Sequence, residues 1–248
     1  MRSKKIIALA MLMVSSNSWA NMCPVNVKND VLLTPTGEVK VDKAQDKLRI
    51  DHDGRVYVNG QELDLTAKQK QAVEKYQQQI SSYIPTVVDF TDKGITAAND
   101  FVSEIETSFD AQGSFDAVKI KIDEYGVTAK QKFYQGKDLI LEQDFFKEVN
   151  TTWKQDFEVM IKSLDKEIFA SVFNSLSNKM QEGELNFSEL QQQFADAQTA
   201  MKSKMEEHRV EVKKEAQELC DSAKDIAEEE QDLHQLVPEL QPYPVFTI

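Results

Sequence analysis

The sequence predicts an α+β protein in which a small N-terminal antiparallel β-meander packs on a bundle of long amphipathic α-helices. Three observations predict it. Residues 25–65 alternate apolar and polar side chains and are punctuated by Thr34-Pro35-Thr36-Gly37, Asp53-Gly54 and Asn59-Gly60, a pattern of short strands joined by tight turns. From Thr66 the period changes, and no proline occurs between Pro85 and Pro238, where Ala, Glu, Gln and Lys supply helix-forming composition. Ahead of both, Arg2, Lys4 and Lys5 precede an unbroken apolar run from Ile6 to Val14 that closes on Ser18-Trp19-Ala20, the layout of a cleaved secretory signal.

The small residues Ser18 and Ala20 set the expected cleavage between Ala20 and Asn21, so residues 1–20 are removed and the mature chain begins at Asn21. The apolar run is far shorter than the roughly twenty residues a membrane-spanning helix needs, and no later stretch comes closer. An exported, soluble protein is expected. The net charge of −13 becomes more negative once the three basic signal residues are lost. Such a field repels phosphate backbones and anionic lipid surfaces, which argues against nucleic acid and membrane as partners. The mature chain has two cysteines, Cys23 and Cys220, and an oxidising compartment favours joining them. Lipid attachment at Cys23 is disfavoured because the bulky Met22 precedes it.

In the meander, 21–65, the strands centre on Val25/Val27, Val31-Leu32-Leu33, Val39/Val41, Leu48/Ile50, Val56/Val58 and Leu63/Leu65. Asp-Gly and Asn-Gly supply the positive φ angles that tight hairpins require. One face of so small a sheet must be covered, and the helices of region 66–237 are the expected cover. Thr66 caps a first helix whose seam is Val73, Tyr76, Ile80, Tyr83, Ile84, Val87 and Val88, with Pro85 expected to kink or break it. In residues 111–143 Val118, Ile120 and Ile122 alternate as in a strand, yet Phe115, Val118, Ile122 and Tyr125 match a helix face, and a short helix is the preferred reading. Phe145, Val149, Trp153, Met160, Leu164, Ile168, Val172 and Leu176 mark another amphipathic helix. The last helix opens on a capping box of Asn186 and Glu189, and Leu190, Phe194, Ala197, Met201, Met205, Val212, Ala216, Leu219, Ala223 and Ile226 hold its apolar face. Pro238, Pro242 and Pro244 end helix formation, so 238–248 is expected to be an extended tail left free of the ordered chain.

The cysteine just inside the mature N-terminus, Asp30-Val31 followed by Pro35, then Leu48, Ile50, Asp53-Gly54, Tyr57, Asn59-Gly60 and Leu63 leading to Gln69, resembles the YggN-like family of Gram-negative bacteria. The resemblance extends over the helical region, including Pro85 and Cys220, and is weakest in 111–143 and the tail. It implies a periplasmic location and this architecture. It carries over no catalytic residues, since the family has none assigned.

Each candidate site has a plainer alternative. Asp51-His52-Asp53 offers metal-ligand and acid–base residue types, but neighbours in a strand point to opposite faces. Asp-Gly is itself a turn signal, so a solvated hairpin tip is expected. The further oxygen ligands of a calcium loop are missing from Arg55 onward. His208 and His234 lie far apart without a ligand partner at metal-binding spacing. No nucleophile elbow or glycine-rich phosphate loop occurs. The run from Glu218 to Asp232, with seven acids around Lys224, is either a cation or basic-partner site or a solvated helix face. Met160, Met180, Met201 and Met205 line either an adaptable client groove or a core. The ending Tyr243-Pro244-Val245-Phe246-Thr247-Ile248 either offers a peptide to a strand-adding domain or packs on its own sheet edge.

The sequence therefore assigns no catalytic, cofactor-binding or metal-ligating residues. Its function reading is a non-enzymatic protein that binds an envelope protein or unfolded clients through its helical surface. The alternative is a hydrolase or metal-dependent enzyme whose residues are too dispersed to form a motif. Oligomeric state is not encoded legibly.

Overall fold

The computed structural model describes residues 23–43, 46–108, 113, 115–153, 155–156, 159, 174, 177–178, 181 and 187–248. The signal run, the Ala20/Asn21 cleavage point, Asn186 and the seam residues Met160, Leu164, Ile168, Val172 and Leu176 lie outside them.

Strands β1 (Asn26–Val27), β2 (Asp30–Leu33), β3 (Val39–Lys43), β4 (Asp46–Ile50), β5 (Val56–Val58) and β6 (Gln61–Glu62) lead into helix α1 (Ala67–Ser108). Next come α2 (Asp116–Gln131), β7 (Tyr134–Gln135), β8 (Asp138–Leu141), α3 (Phe145–Glu148) and a π-helical turn, Val149–Trp153. Helix α4 (Phe187–Leu236), a 3₁₀ turn (Pro238–Leu240) and β9 (Phe246–Thr247) complete the described chain.

The sheet follows from alternation. All pairs are antiparallel, in the order β6-β5-β4-β3-β2-β8-β7. Its register lines up Leu139, Leu33, Val39, Ile50 and Val56 in one cross-strand row, and Leu141, Val31, Val41, Leu48 and Val58 in the next. Paired residues share a face, so the two rows make one apolar surface. Helix α1 covers it with Val73, Tyr76, Ile80, Ile84 and Val87, and sheet and helix form one continuous core. At Asn59-Gly60 both φ angles are positive, 50° and 83°, as the two-residue β5–β6 turn demands. Gln77 pins α1 across two loops, its Nε2 donating to the carbonyls of Gly37 and Asp51, each at 2.8 Å.

Thr66 caps α1 as expected. Its Oγ1 accepts from the Gln69 amide, and the Gln69 side chain accepts from the Thr66 amide in return, a reciprocal capping box. Gln69 Nε2 also donates to the Leu236 carbonyl at 2.7 Å, which ties the start of α1 to the end of α4. Pro85 does not break the helix: α1 runs through it over 42 residues, and Pro85 is on the exposed side. The half of α1 beyond the sheet packs on α2 through Asn99–Asp123, Lys130–Asp92 and Lys119–Glu106.

One expectation holds and two change. Region 111–143 holds the preferred helix, α2, in which Val118 and Ile122 are buried while Ile120 is 57% exposed, which dismisses the strand reading. It also holds a hairpin, β7–β8, that joins the sheet beside β2, so the sheet is not confined to 25–65. Gly136, at φ 67°, occupies the first central position of that hairpin's turn, where a left-handed residue is needed. The tail is the second change. Leu240, Tyr243, Val245 and Phe246 are buried, and β9 pairs with β1 through Asn26↔Thr247 and Val27↔Phe246. The prolines exclude helix there but leave those apolar side chains to be buried, and packing on the protein's own strand is the alternative realised.

Candidate functional site

Helices α1 and α4 run antiparallel, as Gln69–Leu236, Tyr76–Glu230 and Lys93–Glu215 contacts show in succession. Between them lie two adjoining cavities of about 270 Å³ each. Thr86, Leu219 and Ser222 line both, which makes them one elongated groove. Towards one end it is lined by Asp89, Phe90, Lys93, Glu215 and Glu218; towards the other by Gln79, Ser82, Tyr83, Asp225 and Ile226. Leu219, expected on the apolar seam, is half-buried in this groove.

The groove is acidic. Against Asp89, Glu215, Glu218 and Asp225 stands Lys93, 3.4 Å from Asp89 and 3.8 Å from Glu215. At the Tyr83 end two polar atoms, Gln79 Oε1 and Tyr83 Oη, are buried with no partner in the protein. Gln79 Nε2 donates to Glu229 Oε2 at 3.0 Å, which fixes the amide with its oxygen as the free acceptor. Burial alone pushes the Tyr83 hydroxyl well above the ordinary tyrosine range. It therefore stays protonated, able both to donate and to accept.

The acidic run Glu218–Asp232 does not behave as one face. Lys224 and Glu228 form an exposed pair at 3.6 Å, and Lys75 reaches Glu229 at 2.6 Å. Glu230 is 2% exposed. Its Oε1 accepts from Tyr76 Oη at 2.5 Å and from the Val245 amide at 2.7 Å, and its Oε2 from the Phe246 amide at 2.9 Å. Burial pushes the carboxyl up to about 7, against the opposing pull of the three donors. Glu230 is not among the groove residues; it fastens the last strand. Nothing in composition separates it from Glu228 and Glu229. Its place in the spacing Ala223, Ile226, Ala227, Glu230, Leu233, Val237, all buried, is the signal that identifies it.

Asp51, His52 and Asp53 do bring ligand atoms within 4.8 Å of one another, because they sit in a turn rather than along a strand. Asp51 is committed, however. Its carboxylate accepts from the Asp53 amide, the Arg55 amide and Arg55 Nε. Burial pushes this carboxyl up, but those amides and the guanidinium outweigh it and leave it below the usual range. His52 and Asp53 are exposed. His234 is half-buried, and burial lowers its pKa. The side chains of His208, Glu189, Met160, Met180, Met201 and Met205 lie outside the described residues.

Cys23 and Cys220 are bonded, with Cα atoms 5.4 Å apart across 197 positions of sequence. Late α4 therefore returns beside the first strand, as a link between these residues requires. Among the described residues no helix is long and apolar enough to cross a membrane.

These features define an α+β protein, closed by one disulfide, whose described surface carries an acidic interhelical groove. The chain belongs to a family of proteins of unknown function, DUF2884, whose model matches residues 23–246. No curated protein and no solved structure matches it.

Proposed function

We propose that the protein is an exported, periplasmic, non-enzymatic binding protein of the YggN-like kind, engaging an envelope protein or unfolded clients through the surface shared by α1 and α4. The groove carries this reading: it leaves polar atoms unpartnered and acids exposed on a helix pair that is otherwise closely joined. Export is supported by the Arg2–Val14 signal pattern, and an oxidising compartment by the Cys23–Cys220 bond.

A photo-crosslinking amino acid placed at Ser222 in cells tests the binding role, with exposed Lys47 on the sheet as the comparison. Mass spectrometry should identify the same envelope protein from Ser222 and not from Lys47. Equal capture from both positions, or none, overturns the binding role. Purified periplasmic protein should begin at Asn21; an intact Met1 in that fraction would overturn the cleavage assignment.

A further inference from the structure

We propose that the α1/α4 groove takes an extended basic segment of a partner polypeptide, with one peptide unit of its backbone seated between Gln79 and Tyr83. This rests on the binding role above and names the chemistry of the partner.

The orphaned atoms come first. Gln79 Oε1 and Tyr83 Oη are both buried and lack a partner in the protein, and the two residues that carry them line the same end of the groove. They are four residues apart on α1, so they stand one above the other on one helix face. Leaving a buried polar group unpaired is costly, and paired orphans at one cavity point to a ligand that satisfies both. The unpartnered atom of Gln79 is its acceptor oxygen, one N–H of the amide being given to Glu229. The ligand must therefore donate to Gln79 and exchange a hydrogen bond with Tyr83. An ionised carboxylate has no proton to give Gln79, and an anion of any kind is disfavoured beside the groove's acids. A peptide unit presents an N–H and a C=O together.

Shape and charge define the rest. The cavity is elongated, two lobes joined at Thr86, Leu219 and Ser222, which suits an extended chain better than a compact molecule. Phe90, Leu219 and Ile226 supply apolar contact for a side chain along the way. Asp89, Glu215, Glu218 and Asp225 outnumber Lys93 and Lys214, which reaches Glu218 at 3.7 Å, so the flanking side chains of the occupant are cationic.

The test uses the full, disulfide-bonded protein and a short blocked peptide alternating lysine and leucine, titrated by fluorescence anisotropy. A glutamate-for-lysine peptide and a version N-methylated along its backbone are the comparisons. The lysine peptide should bind, the glutamate peptide should not, and N-methylation should weaken binding about tenfold. Tyr83→Phe should weaken the lysine peptide by about five- to tenfold while leaving the circular dichroism spectrum unchanged. Non-specific attraction to an acidic surface would be indifferent to a single hydroxyl. The inference is overturned if Tyr83→Phe binds as tightly as the native protein, if the glutamate peptide binds equally, or if no peptide binds. Capture of a second copy of this chain from Ser222 also overturns it. An envelope protein captured from Ser222 while the lysine peptide fails to bind would sink this inference and leave the broader binding role standing.

Discussion

Replacing Glu230 by glutamine keeps the shape of the side chain and removes the charge that α4 buries beneath the C-terminal strand. The carboxyl is raised from 4.5 to about 7 in the folded protein by burial, against the donors Tyr76, Val245 and Phe246. A shift of that size corresponds to roughly 3 kcal/mol between the two protonation states. The sign follows from which state holds the proton. With the folded value above the unfolded one, the stabilising contribution is complete below about pH 4.5 and is lost as pH rises through about 7. Other groups act in the opposite direction: His234 is lowered by burial, and Asp51, Glu38 and Glu106 are held below their ordinary values by hydrogen bonds and cations. The difference between native protein and Glu230→Gln cancels those contributions. Urea unfolding of both proteins across this range should show the native protein's stability falling relative to the variant by about 3 kcal/mol as pH rises. A difference that stays flat would refute the reasoning. It would mean that the three donors fully offset the burial and that Glu230 titrates in the folded protein as it does in the unfolded chain.

Reduction of Cys23–Cys220 should lower the unfolding temperature substantially, since closing so long a loop contributes up to roughly 5 kcal/mol in the chain-entropy model; calorimetry with and without reductant checks it, and an unchanged temperature counts against it. A Cβ on Gly126 would come within 2.7 Å of Ile95 Cδ1 and 3.1 Å of its Cγ1 and Cγ2. Gly126→Ala should therefore destabilise by about 1 kcal/mol despite its better helix propensity, with the loss recovered in the double variant with Ile95→Ala, as a double-mutant cycle would measure. Asp51→Asn places an amide against the Arg55 guanidinium and should cost about 1–3 kcal/mol near neutral pH. Because the Asp51 carboxyl is held low, that cost should shrink as pH falls through the acid range, and a pH-independent loss in urea titrations would contradict it.

Much of the scaffold was legible because local chemistry and tertiary structure agree. Asn59-Gly60 demands a left-handed turn and forms one, Thr66 with Gln69 spells a capping box and makes one, and the α1 seam is the face that meets the sheet. The β7–β8 hairpin was missed because Leu139-Ile140-Leu141 is too short and too uniformly apolar to show a period. Its place beside β2 is fixed only by long-range pairing. The tail was misjudged for a related reason, since prolines announce the end of helix but not what covers Tyr243, Val245 and Phe246. At the groove, Tyr83 read simply as a seam residue. Spacing records that a side chain faces inward; it does not record whether a hydroxyl finds a partner there, as Tyr83 does not and Tyr76 does.

The pairing of β1 with β9 makes the first described strand wait for the last. A ribosome delivers Asn26 and Val27 long before Phe246 and Thr247, and Cys23 long before Cys220, so neither clasp can close until those later residues have been made. With two cysteines in the whole sequence, a waiting Cys23 has no incorrect partner within its own molecule. Within these 248 residues, a mispaired disulfide would have to join two molecules. The hazard of assembly is therefore one of crowding rather than of scrambling, and the yield of correctly closed protein should fall with the concentration of unfinished chains.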